Sequence, residues 1–342
     1  MTAPILNAPM GGVAGYALAA AVSKAGGLGM IGIGSAGSAE ALHELLRRTG
    51  ELVQPSGIGL LGWAIETEPQ LLSIALAARP TIVSVSFGDD WTWIRRAHDA
   101  GVLAVTQVAD VSNALRAVEA GVDVVVARGA EGGGHGEPRV GTLPLLTGIL
   151  DRVDVPVIAA GGIVSGRGLA AVLAAGASAA WVGTAFSVCP ESMLTDGARN
   201  ALLNAADTDT TTTRVFDVAA GYPWPPHQPE RVLRNAFSDR WDGNEDELRH
   251  DADALAELTE AIADGQYRLA PINAGQGVSS VTTIRPAAEL IKQFCSDAAA
   301  LLHRRYDQEP TAASRPRITT PASLRRHDLP SVMTDEQTDT DK

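Results

Sequence analysis

The segment Arg128-Gly129-Ala130-Glu131-Gly132-Gly133-Gly134-His135-Gly136 is where residue types and spacing in this chain point most clearly to chemistry. Glycine fills four of the positions from 129 to 134, Gly134 included. Such a backbone can press against a flat ligand and reach dihedrals that other residues avoid. His135 follows directly. Imidazole is the side chain most easily poised as a base near neutral pH, and a histidine in so glycine-rich a loop is rarely core packing. The bland alternative is a flexible surface loop with an incidental His. A second set of glycines lies downstream, at Gly161-Gly162 and at Gly183-Thr184. Backbone N–H groups at these four positions, with a helix start after them, suit a phosphate-like dianion; the alternative is a pair of ordinary tight turns.

These loops need elements to hold them. Up to Gly183 the chain alternates short apolar runs with Ala- and Leu-rich stretches. The runs Ile5–Pro9, Leu28–Ile33, Ile58–Leu61, Thr81–Ser86, Val102–Val108, Val122–Ala127, Pro156–Ala160 and Ala179–Gly183 read as strands buried on both faces, because they lack polar alternation. Helical stretches between them end at Ala100-Gly101, Ala120-Gly121 and Ala175-Gly176, the expected stop signal. Eight β-α units predict a parallel sheet closed into a (β/α)₈ barrel, an α/β fold, with an open doubly wound sheet as the alternative. In such a barrel the active site lies in the loops at the C-terminal ends of the strands, and the loops after the last two strands commonly cradle a phosphate. The glycine clusters fall in those loops. Pro9-Met10-Gly11-Gly12 ends the first strand, Gln107 sits near the end of the fifth, and Ala274-Gly275-Gln276-Gly277 precedes the final helix, so each is a candidate for the barrel mouth. Gly27-Leu28-Gly29-Met30-Ile31-Gly32 matches a dinucleotide fingerprint, but it follows a helix and becomes a strand, the reverse of what that fingerprint requires.

After Gly183 the pattern changes. Residues 187–285 read as a helical excursion that packs over the mouth, with Asp207–Thr213 as a polar loop, Tyr222–Gln228 as an irregular Pro-rich segment and Glu245–Asp264 as one amphipathic helix bearing Leu248, Leu255, Leu258 and Ile262 on a single stripe. Residues 1–306 are expected to form the barrel domain with this insertion, and 307–342 a disordered tail.

The net charge is −13, while residues 304–342 carry seven basic and seven acidic side chains, so the body holds the whole excess. An acidic body disfavours nucleic acid and anionic membrane as partners. No apolar run approaches the length of a membrane span, no signal peptide is visible, and the two cysteines form no CxxC motif; the reading is a cytoplasmic protein, and the charge leaves a small-molecule partner open. No metal-ligand spacing stands out, and no G-x-S-x-G supports a hydrolase.

Taken together, Ala8-Pro9-Met10-Gly11-Gly12, Ser84-Val85-Ser86-Phe87-Gly88, the Gly129–Gly136 loop, Pro156–Gly168 (PVIAAGGIVSGRG), Val182-Gly183-Thr184-Ala185-Phe186 and Ala274-Gly275-Gln276-Gly277 resemble the nitronate monooxygenase family, formerly called 2-nitropropane dioxygenases, which also includes bacterial FMN-dependent enoyl-ACP reductases. The resemblance implies a barrel that binds FMN, with its phosphate on Gly161, Gly162, Gly183 and Thr184, with Met10, Gly11 and Gln107 along the isoalloxazine, and with His135 facing the ring and the substrate. It implies oxidation of alkyl nitronates or nitroalkanes by O₂ to a carbonyl product and nitrite. Two positions depart from the family pattern: Arg128 stands where members often carry Gln, and Ile58-Gly59-Leu60-Leu61-Gly62-Trp63 covers a place where they often carry Asn. An NAD(P)H-dependent reductase of an enoyl thioester or quinone on the same scaffold is the nearest alternative. A flavin-free isomerase or aldolase would need a Lys or paired carboxylates at the strand ends, and the barrel strands contain neither.

Overall fold

The computed structural model describes residues 1–306, of which 1–303 form one compact unit; the expected disordered tail over 307–342 lies outside the described residues. Nine short strands, with helices between all but the sixth and seventh, run up to residue 182: β1 (Ile5–Asn7), β2 (Gly29–Gly32), β3 (Ser56–Leu61), β4 (Ile82–Ser86), β5 (Leu103–Val108), β6 (Val124–Arg128), β7 (Gly134–His135), β8 (Val157–Ala160) and β9 (Ala179–Val182). All but β7 form one parallel sheet in the order β1-β9-β8-β6-β5-β4-β3-β2. A single parallel bridge between Leu6 and Leu28 joins its two ends and closes the ring. The eight-fold alternation read from the sequence is therefore a (β/α)₈ barrel.

The barrel is filled, not hollow. Leu6, Leu28, Met30, Ile82, Val105, Val126, Ile158 and Trp181 pack together inside it, while the alternate residues, among them Ile5, Ile58, Val83, Val125 and Val157, join the larger core beneath the helices. This two-sided burial explains the unbroken apolar runs. Helix ends follow the local chemistry. Asp110 and Ser165 cap helices Val111–Glu119 and Gly166–Ala174 by accepting from Asn113 N–H and Gly168 N–H. Gly101, Gly121 and Gly176, at φ +71°, +99° and +106°, close the C-terminal ends of Thr92–Asp99 and of the same two helices. The fingerprint-like glycines at 27–32 serve packing: a Cβ on Gly29 would lie 1.8 Å from the carbonyl oxygen of Ala19, so the helix Tyr16–Lys24 rests on bare strand backbone.

The excursion over 187–285 is mixed rather than purely helical. Thr210–Thr213 (β10), expected as loop, pairs antiparallel with Glu230–Leu233 (β11), which pairs in turn with β7. Four successive β-branched threonines favour a strand once a partner is present; the polarity of Asp207–Thr213 concealed this. The expected helix Glu245–Asp264 is two helices, Glu245–Leu248 and Ala252–Ala263, because Asp251 leaves helical geometry and caps the second by accepting from Ala254 N–H. Of its predicted stripe, Leu248 and Leu258 are buried but Ile262 is exposed. The excursion has its own core of Val215, Phe216, Val232, Phe237, Trp241, Leu248 and Leu258. Cys189 is buried and Cys295 half-buried, both as free thiols, and among the described residues no helix is long and apolar enough to cross a membrane.

Candidate active site

Because the eight barrel strands are parallel, their C-terminal ends share one rim, and the loops after them meet there. Pro9 and Met10 occupy space that only glycine leaves free: a Cβ on Gly32 would strike the Pro9 carbonyl carbon at 2.3 Å, and one on Gly59 the Pro9 ring at 2.4 Å. Gly11 lies equally close against Gly34. Met10 reaches towards the last strand, with its Sδ 3.3 Å from Ser187 Oγ and 3.5 Å from where a Cβ on Gly183 would stand. Gln107, half-buried at the end of β5, donates its backbone N–H to Ser86 Oγ; its side-chain amide makes no hydrogen bond to another described residue.

The loops after β6, β8 and β9 converge. Gly161, at φ +108°, sits against the histidine loop so closely that a Cβ would lie 2.7 Å from Thr142 Oγ1, 3.0 Å from Gly129 O and 3.2 Å from Gly132 N. Gly162, at φ +67°, faces the Glu131 side chain. The Glu131 carboxylate accepts from Thr142 N–H and hydroxyl, both at 2.8 Å. Thr184 Oγ1 accepts from Gly275 N–H at 3.0 Å, and Gln276 N–H donates to Glu131 O at 2.9 Å. Gly275 is thereby wedged between the two loops; the Gln276 side chain is exposed. Among the described residues, the backbone N–H groups of Gly161, Gly162, Gly183 and Thr184 donate to no protein acceptor. Thr184 is buried, Gly161 and Gly183 are half-buried and Gly162 is exposed, so these donors are open to a ligand at the rim.

Arg128 is the internal staple of the histidine loop. Its side chain is buried, and one terminal nitrogen donates to the carbonyls of Gly132, Gly133 and Gly134 at 2.8, 3.3 and 2.9 Å. A Cβ on Gly132 or Gly136 would fall within 2.8 Å of the guanidinium, so these glycines exist to admit the arginine. Burial, with the like charge of Arg231 second, lowers the Arg128 pKa to about 10.

His135 and Gly134 form β7, paired with Glu230 and Arg231 of β11. The His135 ring stacks on Trp224, centroids 3.6 Å apart and planes 5° from parallel. Trp224 meets Phe87 and Trp63 edge-on and donates its indole N–H to Ser35 Oγ at 2.9 Å. The Nε2 of His135 lies 3.0 and 2.9 Å from the two carboxylate oxygens of buried Asp217. Glu230 is also buried, and one ligand-type atom from each of His135, Asp217 and Glu230 falls within 4.8 Å of the others. Burial first, and the neighbouring Asp217 charge second, push the Glu230 carboxyl well above the usual carboxylate range.

Sequence reasoning found His135 and the glycine loops but missed Asp217, Glu230 and Trp224. Asp217 and Glu230 stand 82 and 95 positions downstream of His135, with no local motif around them. The three prolines of residues 222–228 marked Trp224's segment as irregular without indicating that it reaches the barrel mouth.

The fold and rim define a (β/α)₈ barrel enzyme whose mouth is covered by an insertion. A profile of the nitronate monooxygenase family matches residues 60–297, and the chain belongs to that family, whose members are flavin-dependent oxidoreductases. It is 32% identical to a nitronate monooxygenase of Paraburkholderia phytofirmans, over 85% of this chain and 91% of that one. Among solved structures it is similar to nitroalkane oxidase from Streptomyces ansochromogenes (TM-score 0.76, 30% identity, covering 89% of this chain and 97% of that one). It is equally similar in fold to FabK from Thermotoga maritima (TM-score 0.76, 29% identity, 90% and 96% covered).

Proposed function

We propose that this enzyme binds FMN and oxidises alkyl nitronates or nitroalkanes with O₂ to a carbonyl product and nitrite. The observation that carries the reading is the cluster of four unpaired N–H groups at Gly161, Gly162, Gly183 and Thr184, beside the loop that bears His135. These donors match a terminal phosphate. The Pro9–Gly11 backbone, the Met10 side chain and the free amide of Gln107 suit a planar heterocycle extending from that phosphate across the rim, and Gly134 and Gln276 border the same space.

When bound, FMN supplies the redox chemistry; the chain's own residues bind, orient and shield. A nitronate is a delocalised anion. His135, bonded through Nε2, keeps Nδ1 available: neutral, it removes the α-proton of a nitroalkane, and protonated, it offsets the nitronate charge. Arg128 contributes by holding the loop, since its donors are committed to carbonyls. Trp63, Phe87 and Trp224 wall the mouth and keep water from the reacting carbon.

An NAD(P)H-dependent reductase of an enoyl thioester or quinone is the second reading, since Arg128 and the Ile58–Trp63 segment depart from the family pattern and FabK from Thermotoga maritima is equally similar in fold. The test is an anaerobic visible spectrum of the purified protein. Release of FMN on denaturation and bleaching by propyl 2-nitronate support the first reading. Bleaching by NAD(P)H but not by the nitronate establishes the second, and a colourless protein that takes up no FMN removes both.

A further inference from the structure

The acidic side chains Asp217 and Glu230 beside His135 are not used by the cofactor site proposed above, and they lie together with it. We propose that Asp217 is the positioning residue for His135, fixing its tautomer and ring orientation, with Glu230 held behind it as a neutral carboxylic acid. The inference rests on the nitronate-oxidising reading and deepens it.

Three contacts immobilise the imidazole. Pairing of β7 with β11 sets His135 directly opposite Glu230. The flat stack on Trp224 fixes the ring plane, and Trp224 is itself held by Ser35. Within that plane, the two Asp217 oxygens at 3.0 and 2.9 Å receive Nε2. An ionised carboxylate only accepts, so neutral His135 must carry its proton on Nε2 and present the Nδ1 lone pair. Among the described residues Nδ1 has no hydrogen-bond partner. Asp217 comes from helix Val215–Ala220, which is anchored in the insertion's own core through Val215, Phe216 and Val218. The insertion thus supplies the orienting group while the barrel supplies the loop.

Glu230 completes the arrangement. It is only 5% exposed and its side chain has no hydrogen-bond partner among the described residues. Two adjacent buried carboxylates facing one imidazole would repel each other; a proton on Glu230 removes one of the two charges and leaves Asp217 as the acceptor for Nε2–H. The same three side chains could instead hold a divalent cation, which would engage Nε2 and remove the orienting bond, so the experiment separates the two arrangements.

The ring nitrogens of His135 are to be read by ¹⁵N NMR in the full-length protein, assigned by loss of the signals in H135N. The Nε2-protonated form at pH above the ring's titration is expected in wild type; the Nδ1-protonated form overturns the proposal without any variant. Asp217→Asn can turn its amide N–H towards Nε2 and drive the proton to Nδ1. Its kcat with nitroethane, whose α-proton the Nδ1 lone pair must remove, is expected to fall about 100-fold or more with KM within about threefold, and with the flavin spectrum retained. Wild-type kcat in D217N overturns the proposal. Glu230→Gln, a neutral isostere, is expected to leave the His135 proton on Nε2, and a shift of that proton to Nδ1 in E230Q overturns the neutral-Glu230 arrangement. Stoichiometric Zn²⁺ or Mn²⁺ binding by wild type that D217N and E230Q both abolish would show a cation site and overturn the neutral-Glu230 arrangement. If wild type does not turn over nitronate at all, the functional reading fails, while the NMR tautomer still decides the role of Asp217.

Discussion

The imidazole of His135 lies flat against the indole of Trp224, with ring centroids 3.6 Å apart and planes 5° from parallel. One ring belongs to a barrel loop and the other to the insertion, so the stack is where the two parts of the chain meet over the mouth. It also means that the candidate catalytic side chain is oriented by a residue 89 positions away in sequence (224 − 135).

Removing the stack should therefore be felt in turnover before it is felt in folding. Trp224→Leu is expected to lower kcat about 10-fold, and Trp224→Phe to stay within about threefold of wild type, since an aromatic face contributes about 1 kcal/mol beyond its buried area. Steady-state kinetics with a small nitronate, alongside thermal unfolding, would check this; equal kinetics for Leu and Phe would deny the stack a role.

Arg128 predicts a different phenotype. Arg128→Met leaves three loop carbonyls without their donor and is expected to cost about 3 kcal/mol of stability. It should also weaken FMN binding at least about 10-fold, because Gly132–Gly134 would lose their shape. Arg128→Lys retains charge but cannot reproduce the fork, so it should fall between. Denaturant unfolding and flavin fluorescence titration measure both effects, and an R128M protein of wild-type stability would contradict the staple.

Two glycines with left-handed backbone separate strain from crowding. Gly12 (φ +70°) has nothing within 4 Å of an added Cβ, whereas Gly161 (φ +108°) would place one 2.7 Å from Thr142 Oγ1. Gly12→Ala is expected to cost about 1 kcal/mol. Gly161→Ala should cost about 3 kcal/mol, by adding a clash to the strain, and should reduce FMN affinity by displacing an unpaired N–H. Comparable losses for the two variants would argue against tight contact between the loops after β6 and β8.

The Glu230 carboxyl gives a pH signature with a definite sign. Its folded-state pKa is raised, by burial first and Asp217 second, so the folded protein holds a proton that the unfolded chain releases above about pH 4.3. This group's contribution to stability is complete below that pH and is lost progressively as pH rises towards the folded value. Glu230→Gln carries no such loss. The melting temperature of E230Q relative to wild type is expected to climb between about pH 5 and pH 8; a difference that stays flat or falls with pH would show Glu230 ionised in the folded state.

The barrel was legible in the chain because its rules are local. Unbroken apolar runs, helix-stopping glycines at 101, 121 and 176, and glycine loops after the sixth to eighth predicted strands each follow from steric and hydrogen-bonding demands within a few residues. The sequence by itself determined that His135 stands in a glycine loop at the barrel rim and that Gly161, Gly162, Gly183 and Thr184 lie in the neighbouring rim loops. It misread Thr210–Thr213 as loop, since a strand on an insertion acquires its character from its partner, Glu230–Leu233. Only the tertiary structure decided what surrounds His135. Asp217, Trp224 and Glu230 reach it through antiparallel pairing and insertion packing over long sequence separations, and side chains brought together by pairing between distant strands leave no periodicity or spacing for a sequence to display.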